Sequence, residues 1–283
     1  MEINAKTKTT CLFGHPVDHS FSPVIHNYLY EKYQQNILYE CFDVSKENIK
    51  TAVEAIKVLG IIGLNVTIPH KVDIMKCLDF LDKKSELVGA VNTVKNEGGV
   101  LTGYNTDGVG FVQSIYDKGC TVKGKKILIL GAGGACRSVS IELAIEGAET
   151  IEIRNRSLEN ANSIVEIINS NFETKSSCSS KQVSKEDLQS IDILINTTPI
   201  GMKSKDCPID ENIYIDKDIL VCDIVYNPHN TSLIKWAKSQ SLDTMHGIDM
   251  LVNQGLAAFY IWTGIKPSLE DKEKIKELYE KSM

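Results

Sequence analysis

The chain has 283 residues, 42% of them hydrophobic and 24% charged, with a formal net charge of -6. That length exceeds what one core usually serves and predicts two domains, while the acidic balance and the absence of a basic run exclude a surface built to grip nucleic acid or anionic lipid. No run reaches the roughly 18 uncharged apolar residues a membrane helix needs, and residues 1–10 lack the apolar segment of a secretory signal.

The first third alternates short apolar runs with helical periodicity. Residues 9–13, 37–42 and 61–68 read as strands, and helices are predicted over about 23–33 and 46–59. Asn96-Glu97-Gly98-Gly99, between residues 90–95 and 100–104, marks a hairpin. From Gly108 the pattern changes. Residues 125–130 (KKILIL) form a continuous apolar strand of the kind buried in a parallel sheet. It runs into Gly131-Ala132-Gly133-Gly134-Ala135 and a helix through Ile145. Another strand follows at 150–154, a helix to about Asn169, and strands at 191–196 and 219–223. Repeated βαβ units predict a doubly wound sheet. The Ser/Lys-rich stretch 174–184 reads as an exposed loop, and two helices close the chain, an apolar one over 250–262 and a charged one over 268–283.

The fold class is therefore α/β in two domains. Residues 1–107, joined by returning helices at 248–283, form an α/β substrate domain, and residues 108–247 form a Rossmann-type dinucleotide-binding domain. The eight cysteines are scattered from Cys11 to Cys222 with no C-x-x-C pair and no His/Cys cluster. Neither a zinc site nor a disulfide framework is expected, and reduced cytosolic thiols fit the spacing.

Gly131-x-Gly133-x-x-Cys136 follows a strand and opens a helix, the context a dinucleotide fingerprint requires. Its glycines allow a tight turn and let backbone N–H groups reach a pyrophosphate at the positive helix end. Cys136 in the third glycine position leaves the motif imperfect, and a purely structural turn is the alternative. About twenty residues on, the second strand ends in Arg154-Asn155-Arg156-Ser157 with no carboxylate for a ribose 2′-hydroxyl. A guanidinium there matches a 2′-phosphate, so NADP is favoured over NAD, against the alternative of a solvated arginine.

Three polar segments stand out in the first third. In residues 14–23 (GHPVDHSFSP), Ser22 fits an ordinary N-cap with Pro23 at N1, whereas Ser20 has no such role. In residues 65–71 (NVTIPHK), alternation puts Asn65, Thr67 and Pro69 on one side, and Lys71 falls in a first helical turn, either solvated or aimed into a cleft. Asn105-Thr106-Asp107-Gly108 is a turn sequence in which Asp107 could be an Asx-turn residue.

Taken in order, GHPVDHSFSP, NVTIPHK, GAVNTV, GYNTDG, GAGGACR, NRS, NTTPIGM and DMLVNQ resemble the shikimate dehydrogenase family along essentially the whole chain. The resemblance implies an NADP(H)-dependent oxidoreductase that interconverts 3-dehydroshikimate and shikimate for aromatic amino-acid biosynthesis. It implies a cytoplasmic monomer or homodimer acting on a small molecule, with no metal, nucleic acid or membrane. Lys71 and Asp107 would be the catalytic pair. Ser20, Ser22, Thr67, Asn92 and Gln254 would bind the substrate's carboxylate and hydroxyls, with Tyr226 beside it. Gly131, Ala132, Gly133, Gly134 and Ala135 would hold the pyrophosphate, Asn155, Arg156 and Ser157 the adenosine phosphate, and Ile224 and Gly247 would flank the nicotinamide. The chain departs from the family at Asn160, where a second basic residue is frequent, at Ile224, where Met is frequent, and at Asp249, where Gly is common. Two other readings are a quinate/shikimate paralogue using NAD and a non-catalytic NADP-binding sensor. The Ser20-Phe21-Ser22 pair favours shikimate, and the intact Lys71/Asp107 pair argues against a sensor.

Overall fold

The computed structural model describes residues 2–282, and the chain divides into two compact units, Met1–Thr106 with Gln254–Met283, and Asp107–Asn253. The first unit opens with β1 (Lys8–Gly14), α1 (Ser22–Lys32), β2 (Ile37–Asp43) and α2 (Ile49–Leu59). It continues through β3 (Gly63–Val66), β4 (Phe80–Leu81), α3 (Lys83–Val88) and the hairpin of β5 (Thr93–Glu97) with β6 (Val100–Tyr104). The sheet order is β2-β1-β3-β5-β6-β4. β1 is parallel to both β2 and β3, and β5 is antiparallel to β3 and β6.

Helix α2 follows from its spacing: Ile49, Val53 and Ile56 recur on one face and are buried against Leu64, Val66 and Ile74. It stops at Gly60, whose φ of 67° suits a glycine that ends a helix in the left-handed region. The predicted helix over 46–59 begins instead with a 3-10 turn at Lys46–Asn48. On the outer side of β2, which is an edge strand, the Asn27 amide donates to Tyr39 O (3.0 Å) and accepts from Tyr39 N–H (2.8 Å).

The second unit contains α4 (Asp107–Asp117), β7 (Lys126–Leu130), α5 (Gly134–Ile145), β8 (Thr150–Arg154), α6 (Leu158–Asn171) and β9 (Lys175–Ser179). α7 (Lys185–Ser190), β10 (Ile193–Asn196), β11 (Leu220–Asp223), α8 (Ser232–Ser239) and β12 (Asp243–Met245) follow. Its strands are all parallel, in the order β12-β11-β10-β7-β8-β9. Counted from β7 as the first strand, this is the 3-2-1-4-5-6 order of a doubly wound sheet. The apolar run of β7 is explained by two cores. Ile127 and Ile129 enter one hydrophobic cluster, Leu128 and Leu130 another. The stretch expected to be a loop at 174–184 supplies β9, which pairs with β8 along the sheet edge. The Asn169 amide brackets β9 as Asn27 brackets β2, donating to Ser176 O (2.9 Å) and accepting from Ser176 N–H (2.8 Å).

The boundary between the units falls inside α9 (Gly247–Thr263), between Asn253 and Gln254. α10 (Leu269–Ser282) starts with a capping box, Ser268 N–H donating to Asp271 Oδ2 (2.7 Å) and Asp271 N–H to Ser268 Oγ (3.3 Å). Among the described residues no helix is long and apolar enough to cross a membrane.

Candidate active site

In the first unit the loops after β1 and β3 leave the sheet side by side, because Leu12 lies opposite Asn65 and Phe13 opposite Val66. The pairing continues past the strands: Thr67 N–H donates to Phe13 O (2.9 Å) and His15 N–H to Ile68 O (3.0 Å). The first loop carries half-buried Ser20 and leads to buried Ser22; the second carries Thr67 and Lys71, both half-buried. The carboxyl ends of such strands are where open α/β sheets bind ligands.

Ser22 is not the cap of α1. Phe21 holds the N-cap position without a side-chain bond to the first turn. Lys71 does not begin a regular helix either; it lies in a turn ahead of a 3-10 segment, Asp73–Cys77. Its carbonyl accepts from Val91 N–H (2.8 Å), which ties it to the segment that leads to Asn92.

β5 runs antiparallel to β3, so Asn92 sits beside the end of β3 and its carbonyl accepts from Val66 N–H (2.8 Å). The Asn92 side chain is fixed on both sides. Its Oδ1 accepts from Thr106 N–H (2.7 Å), and its Nδ2 donates to Thr106 Oγ1 (3.0 Å) and toward Gln254 Oε1 on α9 (3.5 Å). Asn65 joins the same network. Its Nδ2 donates to Asn92 O (3.2 Å) and Thr93 Oγ1 (3.1 Å), and its Oδ1 accepts from Tyr39 O–H (2.8 Å). One network of bonds thus joins Tyr39, Asn65, Asn92, Thr106 and Gln254; on the neighbouring loop Ser22 N–H donates to Ser20 Oγ (3.3 Å), and Thr67 lies two residues beyond Asn65.

Tyr39, Asn65, Thr93 and Thr106 were not among the expected site residues. One signal was available: an amide between Leu64 and Val66 in a strand buried at every position must find partners inside the protein. Alternation marked the side on which Asn65 lies but not the partners that hold it, which come from β2 and β5.

In the second unit Asp107 is buried and is the first residue of α4, not a turn residue. Gly108 allows close contact of α4 with α5, since a Cβ there would lie 2.5 Å from Ser138 O. The glycine-rich turn stands between β7 and β10, where the strand order reverses. Gly131 has φ of 100°, and a Cβ would sit 2.9 Å from Thr197 Oγ1 and from Thr198 Cγ2. At Gly133 and Gly134, by contrast, an added Cβ would meet nothing within 4 Å, and no side chain caps α5. An uncapped helix N-terminus with open space in front of two glycines fits a dinucleotide pyrophosphate.

The two arginines after β8 differ. Arg154 donates to Glu152 Oε1 (2.8 Å) and Asp187 Oδ1 (2.9 Å) and so belongs to the domain's own structure. Arg156 is exposed and enters no ion pair among the described residues. Asn155 Nδ2 donates to Ser157 O (2.6 Å), which holds the turn that presents it. Farther along, Gly247 meets the segment after β11: a Cβ there would lie 2.5 Å from Ile224 O and 2.6 Å from Val225 C. Ile224 and Gly247 are thus brought together, and Tyr226, half-buried with its pKa raised by burial, is two residues on. Asp249, a departure from the family, has a local task, accepting from His246 N–H (3.1 Å) in the first turn of α9.

A parallel sheet in this order, with a glycine turn at its switch point, defines a Rossmann-type dinucleotide-binding protein. Three family descriptions match the sequence: "Shikimate dehydrogenase substrate binding domain" over residues 12–94, "Shikimate / quinate 5-dehydrogenase" over 112–205, and "Shikimate 5'-dehydrogenase C-terminal domain" over 247–271. The chain belongs to the shikimate dehydrogenase family. It is 45% identical over 267 residues to a shikimate dehydrogenase (NADP(+)) of Caldanaerobacter subterraneus subsp. tengcongensis, covering 93% of this chain and 94% of that one. It is 46% identical over 274 residues to the protein of the same name from Methanocaldococcus jannaschii, covering 95% of each. Among solved structures, shikimate 5-dehydrogenase from Listeria monocytogenes in complex with shikimate and NAD superposes with a TM-score of 0.90 at 34% identity, covering 99% of this chain and 98% of that one.

Proposed function

We propose that this chain catalyses the reversible NADPH-linked reduction of 3-dehydroshikimate to shikimate, as a cytoplasmic enzyme that is a monomer or a homodimer. The observation that carries the reading is the polar edge of the first unit, where hydroxyls and amides from four segments converge on the carboxyl ends of β1 and β3. Relatives near 45% identity carry the name of that activity with NADP(+). Carboxylate and hydroxyl groups of a small polyhydroxy acid match this donor set, in which Ser20, Ser22, Thr67, Asn92 and Gln254 hold the substrate and Tyr226 lines it.

NADP(H), when bound, supplies or accepts the hydride at the carbinol carbon. Gly131, Ala132, Gly133, Gly134 and Ala135 carry its pyrophosphate, Asn155, Arg156 and Ser157 its 2′-phosphate, and Ile224 and Gly247 its nicotinamide end. Lys71 takes the proton from the C3 hydroxyl in the oxidation direction and returns it in reduction, and its ammonium stabilises the developing oxyanion. Asp107 keeps that ammonium and the hydroxyl in register.

A spectrophotometric comparison of shikimate and quinate, each with NADP and with NAD, tests the reading. Shikimate with NADP should be the fastest pair; faster quinate oxidation with NAD overturns the substrate and cofactor assignment. Lys71→Ala should lower kcat by about 10²–10⁴-fold with little change in shikimate affinity, and undiminished turnover would remove Lys71 from the chemistry.

A further inference from the structure

The glycine turn ahead of α5 has an arginine directly behind it. Arg137 N–H donates to Gly133 O (3.0 Å) and closes the first turn of the helix, so the free N–H groups of α5 end where this residue begins. On a helix surface the neighbours of a residue are those three and four positions away. For Arg137 these are Gly133 and Gly134 in the turn before, and Ser140 and Ile141 in the turn after, so its own helix offers it no carboxylate. A long side chain on a helix leans back over the turn on its N-terminal side. Here that turn is the pair of glycines whose faces are open, with nothing within 4 Å of an added Cβ.

The Arg137 side chain is half-buried, and its Nε is shut off from solvent without a hydrogen-bond partner. Among the described residues its guanidinium enters no ion pair. A cation at the positive end of a helix is unfavourably placed, and a buried N–H without an acceptor bears its full desolvation cost. An anion in front of the helix relieves both, because it accepts from the guanidinium and is drawn to the helix terminus. The ligand's side makes the complementary demand. The chain carries a net charge of -6, and residues 131–136 contain no cation, so backbone N–H groups alone would face a pyrophosphate. Arg156 stands on a different turn, after β8.

We infer that Arg137 is a further cofactor-binding residue: its guanidinium reaches back over Gly133 and Gly134 and donates to the dinucleotide pyrophosphate, supplying the formal positive charge that the turn's own N–H groups lack. This role rests on the proposed use of NADP(H).

Calorimetric titrations and thermal melts of the purified protein test it, comparing wild type with Arg137→Met, Arg137→Lys and Arg156→Ala. Methionine keeps the aliphatic reach of the side chain without its buried donor. Arg137→Met should weaken NADP binding about tenfold to hundredfold, the worth of a hydrogen bond between charged groups. Adenosine 2′-phosphate, which lacks the pyrophosphate, should bind that variant as it binds wild type, whereas Arg156→Ala should weaken both ligands. Arg137→Lys keeps the charge on a flexible stem and should recover part of the loss. Without ligand, Arg137→Met should melt at or above the wild-type temperature, because the unpartnered Nε is gone. Undiminished NADP affinity in Arg137→Met, an equal loss for adenosine 2′-phosphate, or a lower midpoint of the ligand-free variant would each overturn the role of Arg137 while the cofactor reading stands. A wild type that binds NADP no better than adenosine would overturn both. A wild type that shows the expected binding pattern but leaves shikimate unoxidised would support Arg137 and overturn the proposed reaction.

Discussion

Arg154 and Arg156 leave the same strand end two residues apart, and their surroundings give them different work. Arg154 is enclosed by Glu152 and Asp187. Arg154→Ala should leave both carboxylates without their partner and cost about 1–3 kcal/mol of stability, read as a lower thermal midpoint with KM for NADP little altered. Arg156 is exposed on a turn held by Asn155. Arg156→Ala should raise KM for NADP roughly tenfold to hundredfold, the worth of about 1.5–3 kcal/mol for a bond to a charged group, and leave KM for NAD nearly unchanged. The reverse pattern would reassign the 2′-phosphate contact. At this scale the sequence separates residue types but not their surroundings. The missing carboxylate after β8 was legible, and so was the pairing of Ser20 with Ser22. That Asn65 is a hub of the network depends on partners 26 and 27 residues away. No local pattern encodes those distances.

At the scale of elements, the glycines separate into two kinds. Gly247 stands against backbone: a Cβ would press on Ile224 O and Val225 C, neither of which can swing aside as a side chain tip can. Gly247→Ala should therefore lower stability by about 1–3 kcal/mol and weaken dinucleotide binding as well. Gly133 stands against open space, at φ -86° and ψ -171°, which an alanine adopts readily. Gly133→Ala should melt within about 1 kcal/mol of wild type while raising KM for NADP at least about tenfold, because the added methyl occupies the place of the pyrophosphate. Thermal melts and cofactor titrations on both variants check the contrast. Strong periodicity made the long elements legible in the sequence, from the buried strands β7 and β10 to helices α1, α5 and α6. What escaped were elements whose stability comes from neighbours. β9, with the sequence KSSCS, is a strand because β8 offers it a ladder. α7 is only six residues long and depends on its Ser184/Asp187 capping box.

At the scale of the whole molecule, each unit carries a buried titratable group whose pH response opposes the other's. In the first unit burial keeps the His26 imidazole neutral, its pKa pulled down from 6.5 to about 3. Between those values the unfolded chain binds a proton that the folded unit refuses, so stability is lost as pH falls through that window. In the second unit burial raises the Asp223 carboxyl from 3.8 to about 6, against hydrogen bonds from Thr231, Val225 and Asn196 that favour its charged form. Here the folded unit holds the proton more tightly, so its contribution is present at low pH and fades as pH rises toward 6. In thermal unfolding from pH 4.5 to 7.5 the two slopes should largely offset each other below pH 6; His26→Phe should uncover a rise in stability on acidification, and Asp223→Asn a steeper fall. If both variants keep the wild-type pH profile, neither group governs it.

The two bracketing asparagines have a consequence for life at high concentration. An open sheet margin invites a stranger's backbone to continue the ladder, and so seeds aggregates. Here Asn27 and Asn169 each counterfeit one residue of the absent neighbour at the middle of β2 and β9, occupying the N–H and the C=O that an intruder would need. The opposite margins, β4 and β12, are two and three residues long and offer almost nothing to grip. Each long margin is thereby interrupted near its centre by an amide side chain, which leaves an incoming strand no unbroken ladder to extend.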